Sequence, residues 1–331
     1  MKLARNILLG VAGLVLTGLV YIYVEFVVTR GGTPAIPGDH SVAVLETIEL
    51  GGVPQWVLIR GHDARKPVLL FLHGGPGMPA MFLAHDFQRE MEQDFVMVHW
   101  DRRGAGKSFA AAAAGELSVS QTLADTLELT RILKRRFDQE RIFLVGHSWG
   151  SYLGLLAARE QPSDFHAFIG TGQLAGSQDE VRTSRQAFAI RKEGTAGESD
   201  LTEDDLFRLG GELYGETSFW PIIGTGIFAP EYTFSDALNI GPGASSVGQR
   251  MQYDLSPRPH EGEVASLEIP VFFLLGRHDF NTPSELAAAY LKRIDSPMKA
   301  VLWFEHSAHF PFWEEPVRFH EALRWIDEQV R

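Results

Sequence analysis

Gly146-His147-Ser148-Trp149-Gly150 holds the side chain best placed for covalent chemistry in this sequence. The five residues fit G-x-S-x-G, in which small flanking residues permit a turn tight enough to project a serine hydroxyl at the start of a helix. A serine hydroxyl is a weak nucleophile, so it needs a base, and the base needs a partner that fixes its tautomer. Asp279, in Gly276-Arg277-His278-Asp279, and His309, in His306-Ser307-Ala308-His309-Phe310, follow Ser148 in the order Ser, Asp, His. In such a set His309 takes the Ser148 proton and returns it to the leaving group, and Asp279 orients the imidazole. His306 and His278 compete for the role of base. His309 is preferred because it lies farther past its strand, where a loop gives reach. A third element is His73-Gly74-Gly75-Pro76-Gly77, whose small residues let backbone N–H groups point at a developing oxyanion. The expected donors are the N–H of Gly75, with Gly74 as the alternative, and the N–H of Trp149 after the nucleophile.

Each of these residues needs a rigid element behind it. Val68 to Leu72, Phe95 to Trp100, Arg141 to Val145, His166 to Gly170, Val271 to Leu275 and Ala300 to Phe304 are short apolar runs that suit strands buried on both faces. Ser41 to Leu50 and Gln55 to Arg60 flank Gly51-Gly52 and read as an opening antiparallel hairpin. Helical spacing of apolar residues runs from Thr122 to Leu133 before Lys134-Arg135-Arg136, and helices are also expected over Tyr152 to Ala158 and Glu315 to Val330. Strands alternating with helices predict an α/β fold with a mostly parallel sheet covered on both faces. The strand signal is lost between Gln173 and Ile269, where Ser184 to Arg191, Asp204 to Leu209 and Ser235 to Leu238 read as short helical pieces. The expected organisation is therefore a core over 41–173 and 266–331 with a helical cap inserted over 174–265. Ala110 to Ala114 reads as part of a surface loop or helix.

The amino terminus is different. Lys2 and Arg5 precede an uncharged, largely apolar run from Ile7 to Val24. About 20 apolar residues suffice to cross a hydrocarbon core, and a positive flank favours an inside amino terminus. Residues 1–30 are expected to be a membrane anchor with the remainder extracytoplasmic, rather than a cleaved signal peptide, whose apolar region is shorter and ends at small residues. Export after signal cleavage is the alternative. Residues 31–40, rich in Gly and Pro, read as a linker.

Composition narrows the classes. With 30 Lys+Arg against 42 Asp+Glu the net charge is −12, which disfavours nucleic acid as a partner because phosphate binding draws on a dense basic surface. Cysteine is absent, which excludes disulfides, thiolate metal sites and a Cys nucleophile, and no metal is expected. Eight carboxylates against one Arg fall between Glu193 and Glu216, which concentrates the negative charge in the cap.

His73 to Gly77, Asp101-Arg102-Arg103-Gly104-Ala105-Gly106-Lys107-Ser108, Gly146 to Ser151 and Ser307 to Pro311 together resemble the prolyl iminopeptidase-like branch of the α/β-hydrolase superfamily. The resemblance covers most of the chain from about Val68 onward except most of the cap. It implies an eight-stranded sheet, a helical cap after the sixth strand and cofactor-free hydrolysis through an acyl-enzyme. It assigns Ser148 as nucleophile, Asp279 as acid, His309 as base and Gly75 with Trp149 as oxyanion donors, and gives Asp101 to Ser108 a structural role. Family aminopeptidases hold a substrate amine with cap carboxylates, so Glu212, Glu216, Glu231 and Asp254 become candidates, with Glu212, Glu216 and Trp220 chosen as the substrate-binding set. The expected substrate is a small molecule or short peptide. An esterase, lactonase or amidase acting on an apolar acyl compound is the alternative, and a non-catalytic anchored binding module the remote one.

Overall fold

The computed structural model describes residues 2–24, 30–113, 116–194, 201–252 and 264–331. Eight strands form one sheet: β1 (Val42–Leu50), β2 (Val53–Gly61), β3 (Val68–Leu72), β4 (Val96–Trp100), β5 (Ile142–His147), β6 (Phe165–Thr171), β7 (Val271–Gly276) and β8 (Lys299–Phe304). Their spatial order is β1-β2-β4-β3-β5-β6-β7-β8. β1 and β2 form the expected hairpin, and β2 is also antiparallel to β4. From β4 to β8 every neighbour is parallel, so the carboxyl ends of β3, β4, β5, β6, β7 and β8 share one edge. This is the mostly parallel eight-stranded α/β-hydrolase sheet.

The buried runs explain the layers. Every residue of β3, β4, β5 and β7 is buried. Alternate residues serve opposite faces: Leu70, Leu144 and Phe273 join one apolar cluster, and Phe71, Val145 and Phe272 join the other. In chain order, helix α1 is Lys2–Tyr23, α2 is Ala84–Phe87, α3 is Val119–Arg136 and α4 is Trp149–Glu160. Ser118 caps α3 by accepting from Gln121 N–H, and Lys134, Arg135 and Arg136 occupy its last turn, where cations meet the dipole. The short α10 (Pro311–Glu314) and the long α11 (Pro316–Val330) close the chain after α9 (Ser284–Arg293).

Among the described residues, four helices lie between β6 and β7: α5 (Gln178–Glu193), α6 (Glu203–Leu209), α7 (Trp220–Phe228) and α8 (Phe234–Gln252). α5 and α6 open with reciprocal capping boxes, Ser177 with Glu180 and Thr202 with Asp205. α7 and most of α8 were not expected, because Pro221, Pro242 and several glycines argue against helix. Packing overrides that preference. Val247 and Met251 of α8 are buried in the core cluster, and α8 lies against the kinked 3-10 segment Gly106–Ala113, which includes Ala110 to Ala113 of the stretch expected as surface loop or helix, Ala114 lying outside the described residues.

Among the described residues no helix is long and apolar enough to cross a membrane. The spanning helix expected over 1–30 is therefore not found there. Met1, residues 25–29 and the side chains of residues 2–5, 7, 8 and 22, among them the flanking Lys2 and Arg5, lie outside the described residues. The segment after residue 30 is held by the body of the protein: Gly31 N–H donates to the Pro230 carbonyl, and the Thr33 hydroxyl donates to Glu231 and accepts from Arg60.

Candidate active site

Ser148 sits between β5 and α4 with φ 53° and ψ −123°, a left-handed conformation that a residue with a side chain adopts only under constraint. The two glycines of the motif make the turn possible. A methyl group on Gly146 would lie 2.7 Å from Ser151 Cα, and one on Gly150 would lie 2.7 Å from the Leu72 carbonyl carbon. The backbone of α4 thus rests directly on the end of β3. Ser148 N–H donates to the Thr171 carbonyl at 3.0 Å, which pins the turn to the end of β6.

His309 and Asp279 are brought together as expected. The imidazole Nδ1 lies 2.9 Å from Asp279 Oδ2, and both side chains are buried. Thr282 fixes the carboxylate, its N–H donating to Oδ1 at 2.9 Å and its hydroxyl to Oδ2 at 2.8 Å. With Nδ1–H committed to Asp279, the other ring nitrogen is free of the proton in the neutral tautomer and can accept one. Burial opposes a charge on His309, but Asp279 and Glu212 outweigh it and raise its pKa to about 9. Ser148 and His309 line the same cavity, without a hydrogen bond between them among the described residues. Such bonds are commonly long before substrate arrives. His306 is exposed, does not line this cavity and packs at a tilt beside Tyr214, and His278 is beside the same ring.

Two residues that the sequence did not mark hold the His309 loop. His147, inside the G-x-S-x-G motif, lies with Nε2 3.0 Å from the His309 carbonyl, and its ring packs at a tilt against the His309 ring, 4.7 Å between centres. Burial, then His309 itself, keeps its pKa well below the ordinary value, so a neutral Nε2–H donates. Glu314 accepts from the N–H groups of Ala308 at 2.9 Å, Phe310 at 3.0 Å and Tyr214 at 2.6 Å, which ties the loop to the cap. Burial pushes the Glu314 pKa up to about 7.

The loop after β3 lies against Ser148. A methyl group on Gly74 would fall 2.9 Å from Ser148 Cβ, and Gly74 and Gly75 both line the Ser148 cavity. Trp149, first residue of α4, is buried beside them. Gly74 and Gly75 thus lie on the wall that Ser148 shares, and Trp149 follows Ser148 in the chain.

The cavity has a volume of about 880 Å³. Of the three substrate-binding candidates, Glu212 and Trp220 line it. Glu216 is exposed and does not, because the chain after Leu213 turns outward at Tyr214 and Gly215. Glu231 is buried elsewhere, against Thr33, and Asp254 lies outside the described residues. Glu212 is 5% exposed, accepts from Asn281 Nδ2 at 3.1 Å, and its backbone carbonyl accepts from His309 N–H at 3.0 Å. Asn281 and Asp204 also line the cavity and went unmarked, since a lone polar residue in a loop or acidic run carries no pattern. No group of three or more His, Asp or Glu that could hold a metal occurs among the described residues.

This sheet and strand-end arrangement define an α/β hydrolase. The chain belongs to the α/β hydrolase fold family, whose model matches residues 67–316. It is 29% identical over 309 residues to the probable aminopeptidase YbaC of Bacillus subtilis (strain 168), covering 87% of this chain and 97% of that protein. Among solved structures it is similar to a proline iminopeptidase of Mycobacterium smegmatis, with TM-score 0.59, 18% identity and coverage of 86% of this chain and 98% of the other. A membrane phospholipase A shares the fold over 100% of this chain and 99% of its own, with TM-score 0.65 and 19% identity.

Proposed function

We propose that the protein is a serine hydrolase of the aminopeptidase kind, cleaving the bond after a free amino-terminal residue, with a proline iminopeptidase-like preference. The observation that carries this reading is Glu212: a carboxyl group buried in the cap, on the wall of the cavity that Ser148 and His309 share. A substrate whose carbonyl lies at Ser148 can set its ammonium group against that carboxylate, a charge-assisted contact in a shielded site. The name of the Bacillus subtilis relative, a probable aminopeptidase, supports the same reading.

In the proposed mechanism Ser148 Oγ attacks the scissile carbonyl as its proton passes to the free nitrogen of His309. The tetrahedral oxyanion receives hydrogen bonds from Gly75 and Trp149 N–H. His309 then protonates the departing amine, leaving an acyl-enzyme, and a water molecule deprotonated by His309 releases the acid and restores Ser148. Asp279 stays ionised and holds the imidazolium in place. No cofactor takes part.

A panel of proline and other aminoacyl arylamides, short acyl esters and lactones tests the proposal. Preference for free-amine proline substrates, lost in Glu212→Gln, is the expected result. Preference for acyl esters or lactones would favour an esterase, lactonase or amidase, a reading for which Phe82, Phe207, Phe219 and Ile222 on the cavity wall speak. Failure of a fluorophosphonate to label Ser148 in folded protein would sink the serine hydrolase in either form and leave the binding module.

The proposal places the catalytic portion outside the cytoplasm, attached by residues 1–30. Leu9, Leu14, Leu16 and Leu19 of α1 are each more than half exposed, an apolar surface that water does not favour. Recovery of the intact chain in the membrane fraction, released only by detergent, is expected. A soluble full chain, or a mature protein beginning after residue 24, would overturn the anchor.

A further inference from the structure

Arg102 is a buried cation without a carboxylate of its own. It follows β4, next to the loop after β3 and two strands from the Ser148 turn, so three successive strand ends place it behind the candidate oxyanion hole. It is 3% exposed, and among the described residues no carboxylate lies within ion-pair distance of its guanidinium. Instead Nη2 donates to the carbonyls of Gly74 and Pro76, each at 2.9 Å, and lies 2.9 Å from His73 Nδ1, while Nη1 is buried with no partner. The guanidinium carbon lies 4.8 Å from the centre of the Trp149 ring.

The identity of the accepting carbonyl matters. The Gly74 carbonyl and the Gly75 N–H belong to one peptide group, so a cationic donor on the oxygen draws electron density from the nitrogen and makes its N–H a stronger donor. His73 lies against the same peptide group. Its Nδ1 lies 2.9 Å from both the Gly74 carbonyl and Arg102 Nη2, and its Nε2 lies 3.2 Å from the Arg102 backbone nitrogen, so the ring packs against the carbonyl and the cation together. Burial, followed by the charge of Arg102, holds the His73 pKa well below its usual value, so the ring stays neutral. The other donor residue, Trp149, is held by the face of the same guanidinium.

An unpaired buried charge is costly to fold around. Burial lowers the Arg102 pKa to about 9, with Asp101 acting in the opposite direction, and the negative charge that develops when the carbonyl at Ser148 turns tetrahedral offsets more of that cost. We propose that Arg102 is a positioning residue for the oxyanion hole, holding and polarising the Gly74–Gly75 peptide and supplying a positive field that the transition state, and not the bound substrate, feels. The inference rests on Ser148 as nucleophile and on Gly75 and Trp149 as donors.

The test compares full-length wild type, Arg102→Gln and Arg102→Lys, each normalised to the fraction of Ser148 that a fluorophosphonate labels, so that misfolded protein drops out. Arg102→Gln is expected to lower kcat about 100-fold with KM within about threefold. Its affinity for a trifluoromethyl ketone, which forms an anionic tetrahedral adduct, should fall in the same proportion as kcat/KM, while a neutral competitive amide loses little. Arg102→Lys restores the charge without the planar fork and should recover part of kcat. If Arg102→Gln yields no labelled protein, Arg102→Lys alone decides: a matched fall in kcat and ketone affinity supports the proposal, and unchanged values overturn it. Equal behaviour of the Lys and Gln variants, or a rise in KM with kcat intact, would also overturn it. A wild type that takes no fluorophosphonate would remove the Ser148 reading, and the role of Arg102 with it.

Discussion

The backbone N–H of His309 donates to the backbone carbonyl of Glu212 at 3.0 Å, so the candidate base and the buried cap carboxylate are neighbours by a main-chain bond. Glu314 reinforces the junction by accepting from Tyr214 on the cap side and from Ala308 and Phe310 on the His309 side. At this point the cap is part of the site's frame. The position of a carboxylate able to read a substrate amine is set by the same hydrogen bonds that set the base.

One consequence is a pH dependence that Glu212 controls. His309 must be neutral to accept the Ser148 proton, and Asp279 with Glu212 raises its pKa to about 9 against the pull of burial. Activity should therefore appear as pH rises, with a limb in kcat/KM near that value. Glu212→Gln removes a negative charge that favours imidazolium, so the limb should move to lower pH. A pH profile of kcat/KM on a neutral ester checks this without the amine contact, and an unmoved limb would refute the coupling.

His309→Ala should abolish turnover, whereas His306→Ala, at an exposed position outside the cavity, should keep most of it. Asp279→Asn should lower kcat by about 10³ to 10⁴, because the amide permits the wrong imidazole tautomer while leaving the binding surface intact. Steady-state kinetics on purified variants decides the matter. Loss of activity in His306→Ala with retention in His309→Ala would reverse the assignment of the base.

The sequence made some of this legible and hid the rest for physical reasons. Ser148, Asp279 and His309 stand just past apolar runs whose ends the chain marks with glycine and polar residues, so order and strand-end position identify them. The contacts that hold them are not local: Tyr214 and Glu314 are 100 residues apart, and neither belongs to a pattern. Glu212 and Glu216 looked alike within one acidic run, and only the outward turn at Tyr214 and Gly215 separates a buried cavity wall from a solvated face. The cap helices α7 and α8 were obscured by proline and glycine, whose low helix propensity packing against the core overrides. Arg102 read as part of a structural segment, because nothing in a chain of letters shows that a cation has been buried without a carboxylate.

Gly150 is a direct test of how tightly α4 sits on β3. A methyl group there would overlap the Leu72 and His73 carbonyls, which are backbone atoms and cannot rotate away. Gly150→Ala should lower stability by at least about 1–3 kcal/mol and displace Ser148 with the helix start. Thermal unfolding and fluorophosphonate labelling should both suffer. A variant with wild-type melting temperature would show that the contact has room to relax.

Asp101 offers a test of the clasp between core and cap. It follows β4, is fully buried, and accepts through Oδ2 from the Tyr232 hydroxyl of the cap and from Lys107 N–H. Lys107 reaches across the same boundary to the Glu231 carbonyl and Asp236. Burial raises the Asp101 pKa to about 7, with the Tyr232 and Lys107 bonds acting in the opposite direction. In the unfolded chain an aspartate titrates near 3.9. Between those values the folded protein binds the proton that the unfolded chain has released, so stability from this group is full below about 4 and declines as pH rises through about 7. Buried His73, His99 and His147 titrate in the opposite sense, but they do so in wild type and in Asp101→Asn alike and cancel in the comparison. The melting temperature of wild type relative to Asp101→Asn should therefore fall from pH 5 to pH 8. Parallel curves across that range would show that Asp101 keeps the same protonation state folded and unfolded.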